Sequence, residues 1–232
     1  MLESPVRFTT NHVVRQLIKR YCRKNNASIL DVGCGKGYYL NYFVAEGIRG
    51  KYLGIDIKEY NNWHRIKTEV NELEVSFKVH DAQSLETLKG RFNFICSIQS
   101  LEHIADDEKA GKGMRTLLQD RGHILITVPS KYSYFLYGRH GYRRYNLLRI
   151  KELTNQSGLS IEELMKLGGI ATFMLHFILW TIPAVIFRLK IWITYKRLRL
   201  RRFIQKMESL VIKVDKICPW LEGGYIVICK GK

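Results

Sequence analysis

The chain has 232 residues, 46% hydrophobic and 25% charged, a size and composition that suit one globular domain with a true core and an appendage. Its five cysteines (Cys22, Cys34, Cys96, Cys218 and Cys229) are scattered, odd in number and without CxxC spacing, which argues against a disulfide framework or a zinc site and points to a reducing compartment. The formal net charge is +17, of which residues 1–130 carry +4 and residues 131–232 carry +13, so an anionic partner is expected at the second half.

The opening stretch MLESPVRFTT lacks the apolar core of a signal peptide, and the expected location is cytoplasmic. From Thr10 to Lys24, apolar residues at Val13, Val14, Leu17, Ile18 and Tyr21 mark an amphipathic helix. Strands are then expected over residues 28–32, 52–56, 75–80, 92–98 and 123–128, separated by helix-length segments. A sixth follows over 159–167 and a last one over 225–230, in YIVICK. Strands alternating with helices predict an α/β fold, a parallel sheet wound with helices on both faces.

Between the first strand and the next helix lies ILDVGCGKGYYL, residues 29–40, with glycine at 33, 35 and 37. Glycine at this density fits a backbone that turns through φ > 0 or that a ligand must touch directly. Strand, glycine turn and helix form the nucleotide-site geometry of open α/β sheets. A phosphate-cradling loop would need GxxxxGK followed by Ser or Thr, which the chain lacks. A dinucleotide GxGxxG starting at Gly33 would need glycine at 38, where Tyr38 stands. DxGxGxG, from Asp31 to Gly37, remains.

Further marks follow in order. An acid ends the second strand in YLGID (Asp56), and another follows the third in VHDAQSL (Asp81, then Ala82). The fourth strand runs into a turn in FNFICSIQSLEHI, and the fifth ends near a proline in GHILITVPS. RHGYRRYNLLRIKELTNQSGLSIEEL then leads to the sixth strand. Together these resemble the class I S-adenosylmethionine-dependent methyltransferases, in the subgroup with a Leu-Glu-His-Ile turn after the fourth strand. The resemblance runs from Asn11 to Gly168 and resumes at the last strand.

The resemblance implies a doubly wound, mostly parallel, Rossmann-like sheet of seven strands with the last one antiparallel. Residues 1–168 and 222–232 would form the cofactor-binding domain, and 169–221 a hydrophobic and basic helical insertion. It implies S-adenosylmethionine as cofactor. Gly33, Gly35 and Gly37 would let backbone approach its methionine and ribose portions, with Asp31 organising the loop. Asp56 would accept from both ribose hydroxyls, a carboxylate having two oxygens for two donors. Asp81 would accept from the adenine amino group, the Ala82 amide would donate to the ring, and backbone oxygen around Ser97 would meet the ammonium group. His103 and His140 are the candidate catalytic residues, as bases toward the acceptor, with a structural role in the turn as the alternative for His103. Arg143 and Arg144 are either solvated or bind an anionic acceptor. Cys34 reads as a small packing residue.

The insertion departs from a minimal family member. Residues 167–187 carry no formal charge, and a membrane span takes ~20 apolar residues. Residues 188–206 then carry eight basic side chains and no acid. On a helical wheel Leu189, Ile193, Leu200, Phe203, Ile204, Met207 and Val211 share one side, with Lys196 the exception and Trp180 and Trp192 nearby. An apolar stripe flanked by basic residues marks an interfacial helix. If the last strand re-enters the same sheet, both ends of the insertion stay on one side of a membrane, which excludes a single crossing. The arginine-rich second arm argues against a two-crossing hairpin, and Pro183 suggests a break in the helix.

The expectation is therefore a methyltransferase lying peripherally on the inner face of an anionic membrane. Its acceptor would be lipid-like or lipid-linked: a quinone precursor, a polyprenyl-linked sugar or a phospholipid headgroup. One alternative is an RNA or soluble small-molecule methyltransferase whose insertion is a lid or a dimer face. A basic half could hold phosphates, but here it adjoins an aliphatic segment instead of stacking aromatics. Another alternative, a catalytically silent membrane-anchoring module, is disfavoured by the intact acids and glycines.

Overall fold

A computed structural model of the chain describes residues 4–69, 73–137, 141–182, 207 and 210–232. His140, Trp192, the basic run 188–206 and the side chain of Trp180 lie outside the described residues.

The core strands are apolar along their length. β1 (Ala27–Val32) and β4 (Phe92–Ile98) bury nearly every side chain, as parallel strands covered on both faces must. β2 (Gly50–Asp56) lies beside β1, and β3 (Leu73–Val79) is half exposed because it forms a sheet edge. With β5 (Leu118–Pro129), β6 (Leu159–Leu167) and β7 (Gly224–Gly231), the order is β3-β2-β1-β4-β5-β7-β6. β1 pairs in parallel with β2 and β4, β2 with β3, and β4 with β5. The Gly223 amide bonds to Leu167 O at one end of β7, and the Lys232 amide bonds to Gly158 O at the other. That pattern makes β7 antiparallel to β6. The expected seven-stranded Rossmann-like sheet is the fold observed.

Helices fill the connections. α1 (Pro5–Tyr21) opens on a proline, whose missing N–H costs nothing at a first helical position, and it buries Val14, Leu17 and Ile18. It starts five residues before the helix expected from Thr10. α2 (Leu40–Ala45) follows the glycine loop, and α3 (Trp63–Glu69) precedes β3. α4 (Asp107–Leu117) is capped by Asp106, which accepts from the Lys109 amide at 2.8 Å. α5 (Ser133–Tyr137) and α6 (Leu147–Gln156) come next, the latter capped by Asn146, which accepts from the Arg149 amide at 2.8 Å. α7 (Ile170–His176) continues into a wide turn, Phe177–Thr181, and residues 210–217 are helical.

Two further boundaries stand out. α2 begins only at Leu40, because left-handed turns at Gly33, Gly35 and Gly37 precede it. β5 begins at Leu118, where it pairs with Phe92; the ladder then jumps to His123 opposite Phe94, with Arg121 at φ +58° in between.

The chain divides into two compact units. The larger comprises residues 15–128, 141–165 and 226–232 and carries the body of the sheet. The smaller comprises residues 1–14, 129–140 and 166–225. Within the smaller unit, Asp215 is buried and accepts from the Ala171 amide at 2.9 Å, the Thr172 amide at 3.2 Å and the Thr172 hydroxyl. This satisfies the start of α7, which has no side-chain cap at Gly169. Burial pushes His176 down to about 4, with the Leu136 backbone as a hydrogen-bond partner. Phe135, Met174, Ile178, Leu210, Ile217 and Trp220 expose large apolar side chains, Ile217 to 80%.

Candidate active site

The carboxyl ends of β3, β2, β1 and β4 bring the expected cofactor residues to one edge of the larger unit. Asp31 stands one residue before the end of β1, Asp56 ends β2, Asp81 follows β3 and Ser97 lies near the end of β4. Ligands of open α/β sheets bind in that position.

The glycine loop is tied on every side. The Gly33 and Cys34 amides both donate to Ile55 O at 2.9 Å. Gly33 has φ +75°, and a Cβ there would lie 2.5 Å from Ser100 Cβ, so no other residue fits. Gly35 has φ +53° but nothing within 4 Å of a built Cβ, which leaves open space over bare backbone. Its amide donates to Asp56 Oδ2 at 2.8 Å, and its carbonyl accepts from Trp63 Nε1 at 2.8 Å. Trp63 is itself buried and stacked on Phe77, with ring centroids 5.0 Å apart. Gly37, also left-handed, sits against Phe77 and Ile66.

The acids divide by environment. Asp31 is buried and accepts from the Tyr52 hydroxyl at 2.6 Å; burial pushes its carboxyl up to about 6. It anchors the base of the loop from inside the core. Asp56 is only partly buried, and its second oxygen meets the Lys58 amide at 3.4 Å. Asp81 accepts from the Gln83 amide at 2.8 Å, so it caps the short 3₁₀ turn Ala82–Thr87 that Ala82 opens. Ser97 is fully buried. Its hydroxyl pairs with that of Ser100 at 2.6 Å, and Ser100 donates to Val32 O at 2.8 Å, which locks β4 to the loop. Burial also pushes the Cys34 thiol far up, consistent with a packing role.

Beyond Ser97 the chain takes a left-handed step at Gln99, φ +52°, and enters the 3₁₀ turn Leu101–His103. His103 has a side chain 43% exposed, with Nε2 3.9 Å from Glu102 Oε1. Glu102 is almost fully buried, and burial pushes its carboxyl up to about 7, with the Arg144 charge pulling the other way. Arg143, expected as solvated or anion-binding, does neither. It donates to Ile104 O at 2.8 Å and Ala105 O at 2.5 Å and pairs with buried Asp107 at 3.2 Å. Arg149 and the Tyr145 hydroxyl also hold Asp107, at 2.7 and 2.9 Å. Arg144 donates to Arg143 O at 3.1 Å. The segment after residue 140 is thus clamped to the turn after β4.

Sequence reasoning missed Trp63, Gln99 and Glu102. Trp63 lies in no quoted motif, and Gln99 stands inside the quoted turn only as a backbone step. Glu102 stood inside the quoted turn, but burial is what sets it apart, and spacing does not report burial.

A family described as "Methyltransferase domain" matches residues 7–169. Among characterised proteins, a "Ubiquinone biosynthesis O-methyltransferase" of Coxiella burnetii is 23% identical over 176 residues, covering 69% of this chain and 74% of its own length. Among solved structures, a Burkholderia thailandensis 1,6-didemethyltoxoflavin-N1-methyltransferase with bound S-adenosylhomocysteine aligns with a TM-score of 0.55 at 18% identity, covering 69% of this chain and 70% of that one. The [4+2]-cyclase SpnF aligns with a TM-score of 0.66 at 17% identity, over 95% of this chain and 80% of that one. At such identities the structural likeness speaks for the fold alone.

Proposed function

The chain belongs to the methyltransferase-domain family and is an S-adenosylmethionine-dependent methyltransferase, and from that premise we propose that it methylates a lipid-like phenolic acceptor at an anionic membrane surface. S-adenosylmethionine supplies an electrophilic methyl group on a sulfonium. The residues present fit this cofactor: Gly35 leaves uncovered backbone beside the Asp56 carboxylate, and Asp81 and Ala82 stand at the next strand end. In this reading Gly33, Gly35 and Gly37 admit the cofactor's amino-acid and ribose portions. Asp56 accepts from the ribose hydroxyls and Asp81 from the adenine amine. Backbone near Ser97 accepts from the ammonium group, and Asp31 holds the loop from below. His103, half exposed after β4, is a candidate for meeting the acceptor; His140, the other candidate from the sequence, lies outside the described residues.

The smaller unit carries the membrane part of the proposal. Its exposed Met174 and Ile178 lie within the uncharged run 167–187, and exposed Leu210, Ile217 and Trp220 follow the basic run 188–206 in the sequence. Exposed apolar side chains bracketing a basic run in sequence fit an anionic lipid interface. Among the described residues no helix is long and apolar enough to cross a membrane, and the proposed mode is insertion to headgroup depth. A prenylated phenol is favoured as acceptor by similarity to the Coxiella burnetii enzyme, whose name places it in ubiquinone biosynthesis. The test is methyl-labelled S-adenosylmethionine with geranyl catechol in anionic vesicles. Label in the lipid phase supports the reading. Label that appears only with RNA, or only with a water-soluble phenol in the absence of vesicles, contradicts it.

A further inference from the structure

The turn Leu101–His103 follows β4 directly, and Ser100, at its start, packs against Gly33 and donates to Val32 O at 2.8 Å. Glu102 therefore stands two residues from the side chain that shapes the glycine loop. Its own side chain is only 2% exposed. Among the described residues Oε2 has no hydrogen-bond partner, and His103 Nε2 lies 3.9 Å from Oε1, beyond hydrogen-bond range.

The backbone around this carboxyl is held firmly. The Tyr142 amide donates to Glu102 O at 2.6 Å. Gly141 adopts φ +71°, and a Cβ there would come within 2.6 Å of the same oxygen, so only glycine allows this approach. Arg143 fastens two carbonyls just beyond, Ile104 O and Ala105 O. A rigid turn thus presents a buried carboxyl oxygen that the protein leaves unbonded. Buried polar atoms are normally satisfied, and an exception in a fixed frame marks a group kept for a ligand.

We propose that Glu102 accepts the proton of the methyl acceptor. The proposal rests on the reading of the chain as a methyltransferase acting on a hydroxyl-bearing acceptor. The acceptor's O–H bond breaks as its proton moves to Glu102 Oε2. Its oxygen forms a bond to the methyl carbon while the carbon–sulfur bond breaks, the electron pair staying on sulfur as a neutral thioether. The proton then leaves to solvent, and half-exposed His103 is the titratable neighbour able to relay it. Among the described residues the charged and titratable groups facing Glu102 are His103 and Arg144. Burial outweighs a hydrogen bond from its own backbone and the attraction of Arg144, and leaves the carboxyl able to exchange a proton near pH 7.

Glu102→Gln and Glu102→Asp test this with geranyl catechol in anionic vesicles and with lipid extract from cells lacking the gene. The Gln variant should bind S-adenosylmethionine in calorimetry as the wild type does, yet lose roughly 10²–10⁴-fold in single-turnover rate. The Asp variant should recover part of that loss. The wild-type rate should rise with pH through an ionisation near 7 that the Gln variant lacks. A Gln variant with near-wild-type rate, or with the wild-type pH profile, overturns the assignment. If the wild type methylates neither acceptor source, the reading of the acceptor fails on its own, and infrared titration decides Glu102. A carboxyl that ionises near pH 7 and vanishes in the Gln variant supports the assignment, whereas one ionising in the ordinary carboxylate range overturns it.

Discussion

The two units handle their chemistry-bearing side chains in opposite ways. In the larger unit the acids at the strand ends are already bonded: Asp31 to Tyr52, Asp56 to the Gly35 amide, Asp81 to the Gln83 amide. These bonds fix the carboxylates before any ligand arrives, so little ordering is left for binding to do. In the smaller unit buried Asp215 is likewise bonded, capping α7, but large apolar side chains such as Ile217 and Trp220 are exposed. A preorganised polar site needs only its ligand. An exposed apolar surface needs something to cover it, and the membrane reading proposed above supplies an anionic lipid surface.

Breaking the docking side should have the largest effect. Changing Lys196, Arg197, Arg199, Arg201 and Arg202 together to Glu removes about 1 kcal/mol of attraction per residue to an anionic surface. Vesicle affinity should then fall by roughly a thousandfold or more, while S-adenosylmethionine affinity stays unchanged. Flotation and calorimetry on the same preparation read both numbers. Loss of cofactor affinity would mean that the two tasks are not separable.

The loop is the next place to press. Gly33→Ala must adopt a left-handed backbone and push aside Ser100, a combined cost of about 3 kcal/mol in unfolding free energy. Urea denaturation would detect it, and an unchanged midpoint would contradict the packing described for the loop.

Glu102 provides a stability signature of opposite sign. Its folded pKa, about 7, lies above the usual carboxylate value of 4.5, so the folded state holds the proton more tightly than the unfolded one. Stability should therefore fall as pH rises from 4.5 through 7, by up to about 3 kcal/mol. Glu102→Gln lacks this loss and should melt higher than the wild type at pH 8, the gain fading toward pH 4.5. Equal slopes in the two proteins would place the carboxyl in water.

The smallest predicted effect concerns Asp56. Its removal in Asp56→Ala should weaken S-adenosylmethionine by about 1.5–3 kcal/mol, the scale of a hydrogen bond to a charged group. Part of that loss would come from the freed Gly35 loop, and the melting temperature of the unliganded variant would show how much.

The fold was legible because its signals are local and repeated. Apolar runs such as FNFICSI and the turn glycines at 33, 35 and 37 are read directly from spacing, and all seven strands lie where expected to within a few residues. The start of β5 was not legible, since pairing of Leu118 with Phe92 depends on a neighbouring strand. At the site, the strand-end acids announced themselves by position after each strand. Their present partners did not, because Tyr52 meets Asp31 only once β1 and β2 lie side by side. Arg143 was misread for the same reason: its carbonyl partners lie 38 and 39 residues away in the chain. Glu102 was hidden beside His103, because a histidine announces its chemistry in any surroundings, whereas a glutamate becomes a neutral-pH base only when buried.

Single-turnover transfer from methyl-labelled S-adenosylmethionine to lipid extracted from cells lacking the gene tests the central claim most directly. The account predicts that the wild type produces a lipid-phase product heavier by one methylene than its precursor, that Glu102→Gln forms it at least a hundredfold more slowly, and that both proteins bind the cofactor equally. Label recovered only in a water-soluble or nucleic-acid fraction would contradict the account.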